Sequence, residues 1–180
     1  MAQELKEVQQ VLKRFKDYVI QQSRSNLSKG GKNVYKELYN SLKGEILTED
    51  NYSIVGFSMA EYGQFQDQGV RGKSSSLKAP KSPFRFGSGT GRKGGLTKSI
   101  LKWVQAKGFQ FRNKESGKFM SYQQTGYLIT RSIFHKGIKP SLFFTKPFEA
   151  GYKKYIDTDL MKAFGQDVET MVDYNLKDIK

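Results

Sequence analysis

The chain predicts an α+β fold: a small antiparallel sheet flanked by an N-terminal helix and a long C-terminal helix, with a basic insertion of one loop and two helices. Three observations carry this. Leu5, Val8, Val11, Leu12, Phe15, Tyr18 and Val19 recur at three- and four-residue steps among Lys, Glu and Gln, an apolar stripe of helical period. From Lys43 the period changes: GEIL, a turn-like stretch 48–51 and YSIVGFSM form two strands of a hairpin. After Pro147 a helical stripe returns through Phe148, Tyr152, Tyr155, Ile156, Leu160, Phe164, Val168, Val172 and Leu176.

In order along the chain, helix one covers about 3–22. The polar run 23–32 (SRSNLSKGGK) reads as a loop broken by Gly-Gly. Asn33 caps a short helix over 34–42 with Val34, Leu38 and Leu42 on one side. After the hairpin, 60–72 is turn-rich and passes into a loop over 71–95, dense in Gly, Ser, Lys and Pro. Leu96, Ile100, Trp103 and Val104 define a helix ended by Gly108. Phe109 and Phe111 alternate with polar residues, 113–117 is a turn, and 122–136 is a second helix with Gly126, Ile129, Ile133 and Phe134 inward. Residues 142–145 suit a strand, and Pro147 suits the first position of the last helix. The 180 residues fit a single domain, 1–180, that carries the 71–137 insertion, with loop 71–95 and helical pair 96–137.

Charge is segregated. The chain has 31 Lys and Arg against 17 Asp and Glu, a formal net of +14. Residues 1–70 are neutral, 71–147 carry 17 bases and only Glu115 as an acid, and 148–180 are at −2. So dense a positive stretch repels itself unless an acidic surface, protein or nucleic acid, meets it. The cations that present this surface are Arg71, Lys73, Lys78, Lys81, Arg85, Arg92 and Lys93.

Catalytic chemistry finds little to work with. Without cysteine there is no disulfide, thiolate site or cysteine nucleophile. His135 is the single histidine, so a site needing two imidazoles is excluded, and its place near a helix C-terminus suits the helix dipole. Glu61 and Asp67 are six apart with nothing to make a pocket around them. The GSGTGRKGG run, 87–95, has glycines beside Arg92 and Lys93 but lacks the Gly-Lys-Ser/Thr order of a phosphate loop, and reads as a flexible arm. Neither a metal nor a cofactor is expected, and no enzymatic activity. MAQELKEVQQ lacks the apolar core of a Sec-type signal, and no window approaches 18 apolar residues, so no membrane partner is expected.

The order of pieces LYNSL (38–42), YSIVGFSM and EYGQFQDQGVRG (61–72) resembles the neck and tail-completion proteins of tailed bacteriophages. LTKSILKWVQAKG (96–108), YLITRSIFHKGIKP (127–140) and the Phe143-Phe144 and Pro147-Phe148 pairs resemble the insertion and closing segment of the same family. The resemblance implies a virion protein made in the host cytoplasm, forming a ring with copies of itself at the head–tail junction. Its partners would be neighbouring neck, portal-side or tail proteins, with non-specific contact to DNA in the lumen. The alternative from residues alone is a basic nucleic-acid-binding protein. Its aromatics Phe84, Phe86, Trp103, Phe109 and Phe111, interleaved with Arg85 and Arg112, would stack on bases.

Overall fold

A computed structural model describes residues 5–30, 36–49, 52–89 and 95–177. The fold is α+β, and it divides into two compact units: Met1–Ala60 with Phe143–Lys180, and Glu61–Leu142. The 71–137 stretch lies wholly inside the second unit.

The first unit is built on α1, Lys6–Lys29. The sequence stripe is its packed face, with Val11, Leu12, Phe15 and Val19 buried. The helix runs a further two turns into the segment read as a loop, because Ser23 and Leu27 continue the same face into the core. A short helix α2, Glu37–Ser41, precedes strands β1, Lys43–Glu49, and β2, Tyr52–Ser58. The cap expected at Asn33 lies outside the described residues, and the helix expected from 34 begins only at Glu37, because Lys36 before it is left-handed at φ 51°. The strands pair antiparallel with Ile46 opposite Val55 and Leu47 opposite Ile54, the hairpin the alternation predicts. Gln9 of α1 donates to Thr48 and Ser53, fixing helix to hairpin. Phe57 reaches inward and meets Phe15, Phe144 and Phe148 edge to face at 5.5–6.0 Å, geometry worth about 0.5–1.5 kcal/mol per pair beyond area burial.

The closing segment departs from expectation at two points. Residues 142–145 form no strand: Leu142 takes a left-handed φ of 50° and Phe143 drops into a core with Leu27 and Leu38. Helix α6 then begins at Thr145, so Pro147 is its third residue, still in the turn whose N–H groups have no intrahelical partner.

From α6 (Thr145–Gly151) the helix continues as a π-helix over Tyr152–Leu160 and as α7 over Met161–Lys177. Nine π-helical residues are unusual, since such turns occur mostly singly. The wider i→i+5 turn rotates less per residue than an α turn. The packed line therefore runs through Gly151, Tyr155, Leu160, Ala163 and Asp167: it keeps the expected stripe at Tyr155 and Leu160 and leaves it one position to its side from Phe164 on. Phe164, Val168 and Val172 are consequently 48, 39 and 51% exposed, not core. Phe164→Ala is expected to cost less than about 1.5 kcal/mol, half or less of what a buried phenylalanine loses. A urea midpoint that falls as far as that of a core variant contradicts this exposure.

Asp167 occupies the packed line for a reason. Leu5, at the N-cap of α1, offers no side-chain cap. Asp167, 7% exposed, accepts instead from the backbone N–H groups of Glu7 and Val8 at 3.0 and 2.9 Å. Asp167→Ala leaves both donors unmet and is expected to cost about 1–3 kcal/mol in thermal unfolding, with Asp167→Asn recovering part of it.

Candidate interaction surfaces

The second unit starts with α3, Tyr62–Gln68, a helix where the sequence suggested turns. It shows no apolar stripe because Tyr62 and Phe65 are over 40% exposed, Phe65 lying edge-on to Phe84 at 4.7 Å. Strand β3, Val70–Arg71, pairs antiparallel with β4, Gly137–Ile138, which follows α5 (Tyr122–Lys136) directly. Helix α4, Gly95–Lys107, packs on α5 where Gly126 lets the Leu101 backbone come close. Val104 and Thr125 are fully buried between them, while Trp103, at core spacing in the sequence, is 36% exposed. Ser121 and Gln124 cap α5 reciprocally. The turn at 113–117 forms as expected: the Asn113 side chain accepts from Glu115 and Ser116, and Gly117 donates to the Asn113 carbonyl.

Loop 71–89 has little regular structure but is not a free arm. Arg71 bridges in parallel to Arg85, its N–H donating to Phe84 and its carbonyl accepting from Phe86. Lys73 and Ser74 donate to the Phe134 and His135 carbonyls at the end of α5. Buried Ser82 donates to the Gly69 carbonyl at 2.7 Å.

These bonds place the sequence-selected cations. Arg71, Lys73, Lys78 and Arg85 converge on the C-terminal end of α5. Arg85 donates to the Lys73 carbonyl, Lys78 to the Gly137 carbonyl, and the Lys73 ammonium lies over the Phe134 ring at 5.9 Å. The end of a helix attracts cations because its last carbonyls carry partial negative charge. Arg71 is half-buried, and its Nε is enclosed without a hydrogen-bond partner. Lys81 is exposed on the loop. Arg92 and Lys93 lie outside the described residues.

The charge asymmetry persists when it is counted by unit. Residues 61–142 hold 16 of the 31 bases and 3 of the 17 acids, a net of +13; the remaining 98 residues hold 15 bases and 14 acids, a net of +1. Three carboxylates cannot neutralise sixteen cations, so this unit's charge is open to an external partner.

Ser74 Oγ lies 2.9 Å from His135 Nδ1, a nucleophile-to-base distance, but both residues are exposed and no carboxylate among the described residues orients the second ring nitrogen. Among the described residues no three His, Asp or Glu gather as metal ligands, and no helix is long and apolar enough to cross a membrane. Glu61 is exposed and Asp67 buried, so they do not form a shared solvent-facing pair.

Sequence reasoning missed one surface, the exposed apolar edge of α7. Its signal was present as a stripe repeating every four residues over 148–172, too long a period for a straight α-helix. No family model matches the chain, and no curated protein or solved structure is significantly similar to it.

Proposed function

We propose that the chain is a non-enzymatic structural subunit of a tailed-phage neck or tail junction, acting in the virion as copies of itself in a ring and docking onto neighbouring neck, portal-side or tail proteins. The observation that carries the docking reading is the pairing of an uncovered apolar helix edge with a unit of net +13, which are surfaces for partners rather than a pocket for a substrate. The phage assignment rests on the motif order over 38–72 and 96–148.

The same +13 unit favours a second reading, a nucleic-acid-binding protein that neutralises phosphates and releases counterions. Replacing Lys73, Lys78, Lys81, Arg85, Arg92 and Lys93 by Gln separates the two; Arg71 is kept because it is half-buried. Under the docking reading the parent binds duplex DNA weakly and the variant fails to enter particles. Tight duplex binding at physiological salt, with a log–log salt slope near −0.9 per contacted phosphate and normal assembly of the variant, overturns docking in favour of nucleic acid.

A further inference from the structure

Met161, Phe164, Val168 and Val172 form a ridge along α7 at three- and four-residue steps, 74, 48, 39 and 51% exposed. A helical apolar stripe ordinarily faces a packing partner, and the positions that serve α1 lie one residue earlier, at Leu160, Ala163 and Asp167. The ridge is therefore surplus to the helix's own packing.

Two observations define what covers it. On its solvent side stand Gly165, Glu169 and Asp173, and over 157–173 there are four carboxylates besides the buried Asp167 against Lys162 as the single cation. Gly165 weakens the helix interior, yet a Cβ there would meet nothing within 4 Å, so the chain's own packing gains nothing from the missing side chain. A close-approaching, positively charged surface would use both features.

This chain carries such a surface. Helices α4 and α5 together contain no carboxylate and five cations. The outer face of α5 presents Tyr127 at 60% and Leu128 at 39% exposure with exposed Arg131 one turn on, and exposed Lys136 stands at the helix's C-terminal end. We infer that the α7 ridge of one copy docks on the outer face of α5 in a second copy. Tyr127 and Leu128 cover Phe164 and Val168 at the Gly165 step, and Arg131 and Lys136 face Glu169 and Asp173. Opposite charges at the rim set register and exclude wrong pairings. The two surfaces differ, so each copy retains one of each for the next copy, the head-to-tail contact that closes into a ring or runs on as a filament. The inference rests on the reading of the chain as a self-assembling subunit and names the contact.

The test is sedimentation velocity of the full chain across concentration and salt, with thermal melts as the folding control. The parent associates with rising concentration, less so in high salt. Glu169→Lys with Asp173→Lys, and separately Arg131→Glu with Lys136→Glu, each weaken association by about tenfold or more. An equimolar mixture of these two variants associates again, because each one's reversed surface matches the other's. Gly165→Ala raises the melting temperature of the dissociated chain and weakens association. A chain monomeric at every concentration, or reversed variants whose mixture stays apart, overturns the contact. If that chain still enters particles, the ridge belongs to a different protein and the assembly reading stands. Association that follows the charge pattern in a chain never found in particles leaves the contact standing and removes that reading.

Discussion

Alanine at Gly137 is expected to unfold the 61–142 unit. Gly137 joins α5 to β4 with φ 82° and ψ 179°, a region essentially closed to residues with a side chain. A Cβ would overlap the Val70 carbonyl oxygen and come within 2.6 Å of the Gly72 nitrogen, both backbone atoms that cannot swing aside. Strain of about 1–3 kcal/mol adds to that overlap, for a total above about 4 kcal/mol, where single substitutions are exceptional. Hydrogen exchange reads the result directly. Amides of α3, α4 and α5 lose protection in the variant, and unchanged protection there shows that the β3–β4 junction does not hold this unit together.

Phe143→Ala is expected to cost about 3–5 kcal/mol. The ring is 2% exposed and packs with Leu27 and Leu38, and the Phe143 carbonyl accepts from the Asn26 side chain. Removing the ring leaves a cavity walled by α1 and α2, which their own contacts keep from collapsing. The urea midpoint should fall sharply at constant slope. A midpoint near that of Phe164→Ala contradicts the placement of the core at Phe143 and of Phe164 at the surface.

Those two phenylalanines show what was legible in the sequence. Period is local, so the hairpin, α4 and α5 could be read within a few residues of their observed positions, and the Asn113 turn with them, whereas α1 was read two turns short at its C-terminal end. The burial of Phe143 could not, because it depends on a left-handed Leu142 and on α1 extending to meet it. The π-helical turns were equally hidden. They change rotation per residue, and an assumed α period then assigns Phe164 to the wrong side. Strands β3 and β4 are two residues each, too short for alternation to register. Of the candidate site, the cations and their segregation were plain from composition. Their convergence on the end of α5 arises from backbone pairing between residues some sixty positions apart, as at Lys73 and Phe134, which no spacing rule reports.

The role we propose for this chain is docking copies of itself into a neck or tail junction. Electron microscopy of the purified full chain, with antibody labelling of particles that contain it, tests this most directly. Closed rings of the isolated protein and label confined to the head–tail junction are the expected result. Particles of single-chain size that coat added duplex DNA, with no label at the junction, contradict it.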